Sequence, residues 1–286
     1  MNKIAAALLL LPLAAVAAVR SEMLVDTAWL AQHLNDPKVV VLHVSTSRTT
    51  YDAGHIPGAR FVGLSDLVTT RDGVPNELPS AADLKKVLEQ AGVSDDTRVI
   101  VYTDASILPA ARAYFTLDYL GHGDHAALLD GGLNQWRAEN RPVTAETPAV
   151  AAGRFTPRPR PEVVVGMDAV KDFSLAAKSS PASAPVLLDA RTSEEFKTGG
   201  HIPGAQNVTW VQGQASGPAS AMKSEADLRK LYETLGAGAN RPVVTYCNTG
   251  MQSSQSYFTL KYLGYDVRMY DGSFSEWSAK GAAIEK

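Results

Sequence analysis

The sequence has almost no cysteine, since Cys247 is the single one among 286 residues. One thiol cannot form an internal disulfide, so a scaffold held together by disulfides is excluded. A lone cysteine is either a small buried apolar residue or a reactive group. The residues around Cys247 therefore indicate whether it is a buried apolar residue or a reactive thiol.

The sequence also lacks an excess of charge, with 27 Lys and Arg against 30 Asp and Glu and a net charge of −3. We therefore expect no binding to nucleic acid. The histidines have no paired spacing typical of a metal site, and no nucleotide-binding motif occurs. These absences predict a protein without a metal or another cofactor. The length and the hydrophobic content of 45% are typical of a globular protein of about two domains.

The N-terminus has the pattern of an export signal. Lys3 precedes an apolar run over residues 4–18, and Ala15-Val16-Ala17 has the small-x-small form of a signal-peptidase site. We predict a signal peptide over residues 1–17, a periplasmic or secreted mature protein, and no membrane contact after cleavage. An uncleaved anchor is the alternative, although the run is short for a membrane span.

The remaining chain alternates short apolar strands with amphipathic helices. The pattern predicts strands at residues 39–42 and 99–102, and helices at 26–34, 81–91 and 110–120. Strands that are apolar at every position favour a parallel sheet with helices on both faces. We therefore predict an α/β fold.

Three sequence blocks occur twice in the same order. Residues 54–59 (Gly-His-Ile-Pro-Gly-Ala) recur at 200–205, residues 114–121 recur at 257–264 with one change, and an Asp-Gly pair followed by Trp occurs at 130–136 and 271–277. Such order indicates two copies of one domain. We predict domains at residues 22–144 and 162–286, joined by a proline-rich, extended linker at 145–161 whose arginines are solvated. A Gly- and Ser-rich stretch at 212–221 predicts a surface loop.

Cys247 follows a strand-like run over residues 242–246 and precedes a helical pattern that we expect to begin near Ser253 or Ser254. A thiol at a strand–turn–helix junction faces unpaired N–H groups and the positive end of a helix dipole. Such sites lower the pKa of a cysteine from about 8.5 into the range of roughly 3.5 to 7.5. Cys247 is therefore a candidate nucleophile.

The two copies differ at this position. Alignment places Thr103 opposite Cys247 and His43 opposite Asp189, so we expect only the second copy to be chemically active. Arg191 follows another strand of that copy, and the carboxyl ends of parallel strands share one edge of a sheet. Arg191 beside the thiol would bind an anionic substrate. A surface salt bridge to Glu194 or Glu195 is the alternative.

These motifs resemble the tandem-domain rhodaneses, or sulfurtransferases, over residues 22–284. The resemblance is carried by Leu188-Asp189-Ala190-Arg191, the Gly-His-Ile-Pro-Gly-Ala block, the cysteine loop and the final Asp-Gly-Trp pattern, all in order and with a cysteine in the second copy alone. It implies two rhodanese-like domains, of which the first is inactive and packs against the second to form the substrate cleft.

The resemblance also implies the chemistry. Cys247 would accept a sulfane sulfur as a persulfide and pass it to a thiol, cyanide or protein acceptor. Arg191 would bind the anionic donor, Asp189 would support the loop through backbone hydrogen bonds, and the cradle for the donor would consist of Asn248, Thr249, Gly250, Met251, Gln252 and Ser253. Thiosulfate is the favoured donor and 3-mercaptopyruvate the alternative, although the loop lacks the cation typical of thiosulfate-using members.

Two other functions are weighed against this one. A cysteine phosphatase would need an arginine six residues after the cysteine, where this chain has Ser253. A non-catalytic periplasmic carrier or binding protein for sulfur would keep Cys247 but transfer sulfur poorly to small acceptors. The sequence leaves this second alternative open.

Overall fold

The computed structural model describes residues 17–217, 221–237 and 241–286. The predicted signal peptide therefore lies outside the described residues, apart from Ala17. Within these ranges, each helix is too short or too polar to cross a membrane.

The first half of the chain forms a sheet of five parallel strands. Its elements are β1 (Leu24–Val25), α1 (Thr27–His33), β2 (Val39–Ser45), α2 (Thr49–Ala53), β3 (Arg60–Gly63), β4 (Thr69–Arg71), β5 (Val74–Glu77), α3 (Ala81–Gln90), β6 (Arg98–Tyr102), α4 (Leu108–Tyr119), β7 (Ala126–Leu129) and α5 (Gly132–Ala138). The strand order is β1-β7-β6-β2-β3, while β4 and β5 form a separate antiparallel hairpin.

The second half forms a sheet of four parallel strands in the order β11-β10-β8-β9. Its elements are α6 (Met167–Ser179), β8 (Val186–Asp189), α7 (Ser193–Thr198), β9 (Gln206–Asn207), α8 (Glu225–Glu233), β10 (Val243–Tyr246), α9 (Met251–Tyr262), β11 (Val267–Met269) and α10 (Ser273–Ala279). The order repeats that of β7-β6-β2-β3, so the predicted duplication of an α/β unit with parallel strands is confirmed.

The strands are apolar at every position because both faces of each sheet are covered. In the first half, Val40 and Leu42 pack into one core and Val41 into another. In the second half, Val243 and Val244 divide in the same way between two cores. Alternate side chains of a strand point to opposite faces, so each sheet separates two apolar layers.

The strand register confirms the alignment of the two copies around the cysteine. Tyr102 of β6 lies beside His43, and Tyr246 of β10 lies beside Asp189. The residue after each tyrosine is Thr103 in the first half and Cys247 in the second.

The repeated block at residues 114–121 and 257–264 forms the centre of the contact between the halves. It lies on α4 and α9, where the ring of Tyr114 meets Phe258 at 4.8 Å and that of Phe115 meets Tyr257 at 4.9 Å, both edge to face. Such aromatic pairs stabilise a contact beyond the area that they bury. The two helices thus meet through equivalent residues.

The linker has no regular structure over residues 145–160, as predicted, but it is attached to the first domain. The N–H groups of Arg158 and Arg160 donate to carbonyls at the end of α4, at 2.8 and 2.7 Å. The guanidinium of Arg160 binds the buried carboxylate of Asp118 at 2.7 Å. The prediction that the linker arginines are solvated therefore holds only in part for Arg160, whose side chain is 37% exposed while its guanidinium is paired.

The stretch predicted as a surface loop at residues 212–221 is partly ordered by local structure. It begins within a 3-10 turn over Trp210–Gly213, and Gln214 forms an antiparallel bridge with Met222. Residues 218–220 lie outside the described part of the chain.

Candidate active site

Cys247 directly follows the carboxyl end of β10, and α9 begins four residues later at Met251. The helix therefore starts earlier than the predicted position near Ser253 or Ser254. Gly250 caps the helix in the left-handed region, at φ +84°. This turn, which glycine adopts without a steric penalty, brings the chain into the helix within one residue.

The sulfur of Cys247 lies over the first turn of α9. The hydroxyl of Ser253 donates to Sγ at 3.6 Å, and the side chain of Cys247 is almost fully enclosed, with 1% of the residue exposed. Ser253 itself is fully buried. The buried thiol thus has a hydroxyl partner from the first turn of a helix.

The loop presents a row of unused N–H groups. Those of residues 248–253 donate to no acceptor among the residues that the structure describes. By contrast, the N–H of Cys247 itself is bound to Ser273 Oγ at 3.3 Å. Unpaired amides at a helix N-terminus form a binding site for anions. The predicted cradle residues Asn248, Thr249, Gly250, Met251, Gln252 and Ser253 are the residues that carry these N–H groups, and Ser253 contacts the thiol.

Ser273 fixes the other side of Cys247, and the sequence reasoning missed it. Its hydroxyl accepts from Cys247 and donates to the carbonyl of Tyr270 at 2.9 Å. Ser273 adopts φ +54°, which is uncommon for a residue other than glycine. The equivalent position of the first domain is Gly132, also at φ +54°. The Asp-Gly motif just before Ser273 was the signal that could have indicated its position.

Arg191 is paired with Asp189 and is not free at the edge of the sheet. Its Nη2 lies 2.6 Å from Asp189 Oδ2, and its Nε lies 3.0 Å from both carboxylate oxygens. Nη2 also donates to the carbonyl of Gly200 at 2.8 Å. Burial would lower the pKa of Arg191, but the Asp189 carboxylate outweighs it and raises the pKa. Arg191 is therefore a buried cation with its charge compensated.

These contacts correct two details of the prediction. Asp189 accepts the backbone N–H and the guanidinium of Arg191, and its carboxylate binds Arg191 and not the cysteine loop directly. Arg191 reaches the loop through Nη1, which lies 3.5 Å from Asn248 Oδ1. The alternative of a direct salt bridge from Arg191 to Glu195 is replaced by a bridge through Asn248, whose amide donates to Glu195 at 2.8 Å.

The first domain contributes three contacts to the loop region. Asn76 of β5, in the β4–β5 hairpin, donates to the hydroxyl of Thr249 at 2.9 Å. The N–H of Leu78 donates to Asp271 Oδ2 at 2.8 Å, and Arg112 of α4 forms an ion pair with the same carboxylate at 2.5 Å. These partners lie more than 150 residues apart in sequence, so no local pattern could have identified them.

The equivalent loop of the first domain contains a carboxylate, that of Asp104, in place of an amide. Asp104, the equivalent of Asn248, lies 3.6 Å from the ring of His43. Burial would raise the pKa of Asp104, but the hydroxyls of Thr50 and Ser45 and its own N–H lower it. A fixed carboxylate and the absence of a thiol make this loop unsuitable for binding a second anion.

A cavity of about 440 Å³ lies between the domains, and Asp271, the ion-pair partner of Arg112, is part of its lining. Charged and aromatic side chains line it: Arg71, Glu77, Tyr119, Tyr270, Asp271 and Glu276. Burial and the neighbouring Asp271 raise the pKa of Glu77, against the opposing effect of Arg71. Within the described ranges, His, Cys, Asp and Glu form no cluster that could hold a metal ion.

Comparison with known proteins agrees with this architecture. The family described as rhodanese-like domain matches residues 26–139 and again 174–280. The chain is 37% identical over 274 residues to a protein of Thermus thermophilus named "Sulfur carrier protein TtuD", covering 90% of this chain and 93% of that one. It is 32% identical over 263 residues to the thiosulfate sulfurtransferase of Pseudomonas aeruginosa, covering 89% of this chain and 93% of the other.

A solved structure gives the same result for the fold. The crystal structure of the 3-mercaptopyruvate sulfurtransferase SseA from Escherichia coli superposes with a TM-score of 0.77 at 26% identity. The superposition covers 88% of this chain and 98% of SseA.

Proposed function

The chain belongs to the rhodanese family and is a sulfurtransferase, and from this premise we propose that it moves a sulfane sulfur through a persulfide on Cys247. The observation that carries the proposal is the row of unused N–H groups at residues 248–253, in the loop and helix start that directly follow a thiol contacted by the Ser253 hydroxyl. This arrangement suits an anionic substrate and an anionic persulfide.

The reaction would proceed in two displacements. The Cys247 thiolate attacks the outer sulfur of thiosulfate, the sulfur–sulfur bond of the donor breaks, and sulfite leaves with the electron pair. A thiolate or cyanide then attacks the outer sulfur of the persulfide, and the Cys247 thiolate leaves. The enzyme returns to its starting state without a redox cofactor.

We propose thiosulfate as the donor, with 3-mercaptopyruvate as the alternative. The names of several relatives support thiosulfate, including the protein of Pseudomonas aeruginosa. The charges at the site are less favourable, because Arg191 is already neutralised by Asp189 and the loop has no cation of its own. Donor binding would therefore depend on N–H groups more than on ion pairing.

Steady-state assays test this proposal. The parent protein should produce thiocyanate from cyanide with thiosulfate, more efficiently than with 3-mercaptopyruvate, and intact-mass analysis should find one added sulfur on Cys247. The variant Cys247→Ser should lose both signals while it remains folded. Full activity in Cys247→Ser, or no added sulfur on the parent with either donor, would reject the persulfide.

Arg191 is proposed to position Asn248 and to contribute to donor binding. Arg191→Lys keeps the charge but cannot reproduce the planar fork that Asp189 holds, so the apparent Michaelis constant for the donor should rise with partial loss of turnover. Thermal unfolding should be recorded for the same sample, because a lysine cannot make all of the hydrogen bonds that the Arg191 guanidinium makes to Asp189, and the variant could be less stable. Unchanged kinetics in a folded variant would remove Arg191 from the site.

A sulfur carrier is the second candidate function. The protein of Thermus thermophilus, named a sulfur carrier, supports it, and so does the enclosure of Cys247, with 1% of the residue exposed. A carrier would accept sulfur on Cys247 yet release it slowly to cyanide or small thiols. The rate at which the loaded protein releases sulfur to cyanide in a single turnover separates the two functions. In an enzyme this rate is at least as high as kcat, whereas in a carrier release to cyanide is slow.

The N-terminal segment is proposed to direct the protein to the periplasm or outside the cell. The pattern of residues 1–17 supports it. Mass analysis of the protein recovered from a periplasmic extract should give a chain that begins at Ala18. A full-length chain found in the cytoplasm alone would reject the export signal.

A further inference from the structure

Arg112 is a buried cation that the domain without the cysteine places beneath the cysteine loop. It lies on α4, has no exposed surface, and binds Asp271 of the second domain through Nη1 at 2.5 Å and Nη2 at 3.3 Å. The same carboxylate accepts the N–H of Leu78 at 2.8 Å. The first domain thus supplies every charged or N–H partner that the structure gives to the Asp271 side chain among the described residues.

The loop is seated directly on this ion pair. A Cβ atom at Gly250 would lie 2.8 Å from Asp271 Oδ1 and 2.9 Å from Arg112 Nη1. The backbone of Gly250 therefore lies so close to both groups that a residue with a side chain would clash. Gly250 also sets the left-handed turn from which the loop enters α9. The direction of the free N–H groups on either side of Gly250 depends on this turn.

We propose that Arg112 is a positioning residue for sulfur transfer, acting across the domain boundary through Asp271 and Gly250. The inference rests on the proposed function, because it assigns Arg112 to the reaction that takes place on Cys247. The first domain then does more than line the cleft, because it supplies the cation that fixes the conformation of the anion-binding loop.

Anion binding by the loop depends on the direction in which its N–H groups point. An N–H group binds an anion only along its own axis, so a rotation of the loop weakens several such bonds at once. The bidentate fork of Arg112 defines both the position and the plane of the Asp271 carboxylate. A lysine would neutralise Asp271 without fixing its plane, and the loop would then sample several orientations.

The same helix provides a matched control. Asp118 lies six residues after Arg112 on α4 and forms a buried ion pair with Lys261 across the same interface. Lys261 is ten residues beyond Met251 on α9, which corresponds to about 15 Å along the helix axis. Loss of this second pair therefore weakens the contact between the domains but leaves the loop unchanged.

The experiment compares four proteins: the parent, Arg112→Lys, the neutral pair Arg112→Met with Asp271→Asn, and the control pair Asp118→Asn with Lys261→Met. The readouts are the rate of sulfur loading onto Cys247 at saturating thiosulfate, the kcat and KM with cyanide, and thermal unfolding. Both Arg112 variants should load sulfur about 10- to 100-fold more slowly than the parent, mainly through kcat. The control pair should unfold at a lower temperature but keep the parent's loading rate.

Two outcomes would overturn the inference. A folded Arg112→Lys protein that loads sulfur at the parent's rate shows that the guanidinium fork is not needed. Equal losses of activity in the Arg112 and control pairs show that Arg112 stabilises the interface and nothing more. If instead the parent itself takes up no sulfur on Cys247, the proposed function fails, and this result is distinct from either outcome.

Discussion

Asp118 and Lys261 occupy the same position in the two copies of one helix, and their side chains form a buried ion pair with each other. They lie 143 residues apart and are the single difference between the blocks at residues 114–121 and 257–264. Asp118 also accepts hydrogen bonds from Tyr257 and Arg160. The carboxylate is therefore the polar centre of the contact between the domains.

Loss of this carboxylate should be costly. Asp118→Asn leaves the buried ammonium of Lys261 without its counter-ion, which we expect to lower the free energy of unfolding by about 3–5 kcal/mol. Adding Lys261→Met removes the unpaired charge and should recover a large part of the loss. Urea unfolding of both variants measures the two steps, and a double variant less stable than Asp118→Asn would contradict the argument.

Gly250→Ala should disable the loop. The substitution forces a side chain into a left-handed turn and into Asp271 and Arg112 at less than 3.0 Å, so it should destabilise the protein by more than about 2 kcal/mol and slow sulfur loading. Gly58→Ala is the control, because Gly58 has φ +77° but nothing within 4 Å of the added Cβ. Its cost should stay near 1–2 kcal/mol, the penalty of the left-handed conformation alone. Equal costs would mean that the contact at Gly250 is easily relieved.

Ser273 combines backbone strain with a hydrogen bond to Cys247, and two variants separate them. Ser273→Ala keeps the left-handed backbone and leaves the buried N–H of Cys247 unpaired, at a cost of about 1–3 kcal/mol. Ser273→Gly loses the same bond but relieves the strain, so it should be about 1 kcal/mol more stable than the alanine variant. Thermal unfolding ranks the two proteins. An alanine variant as stable as the glycine variant would indicate a relaxed backbone at this position.

Glu77 should make stability depend on pH. Its pKa is raised from the usual value of 4.5 by burial and by Asp271, so the folded state binds a proton more tightly than the unfolded chain does. The stabilising effect of this proton is complete below pH 4.5 and is lost as the pH rises through the folded-state pKa. Glu77→Gln should therefore stabilise the protein at pH 8, with a smaller gain at pH 4, as measured by thermal unfolding. A gain independent of pH would show that Glu77 titrates normally.

The sequence was sufficient for the architecture because its signals are local or repeated. Residues 39–42 and 99–102 lie within observed strands, and the pairing of His43 with Asp189 across the copies followed from an alignment of short blocks. The start of α9 was placed two or three residues late. Met251 and Gln252 are good helix formers, but Gln252 and Ser253 lack the apolar spacing that indicates a helix, so the pattern became visible only farther along the chain.

The site could be predicted only in part, for a related reason. Cys247 and its loop are contiguous in sequence, whereas the groups that hold them are not. The Arg112–Asp271 and Asn76–Thr249 contacts join residues 159 and 173 positions apart. The pairing of Arg191 with Asp189 was missed although the two residues are close in sequence. The position of Arg191 after a strand suggested an exposed side chain, whereas the structure buries it, with 2% of the residue exposed.

The enclosure of Cys247 affects which molecules can react there. A persulfide places its terminal atom about 2 Å beyond Sγ, because that is the length of a sulfur–sulfur bond. Without sulfur, the protein exposes only 1% of Cys247, whereas in the proposed persulfide the reactive atom would lie one sulfur–sulfur bond farther from the backbone. In the proposed reaction, sulfur uptake would therefore favour slender donors, and delivery would be open to bulkier acceptors.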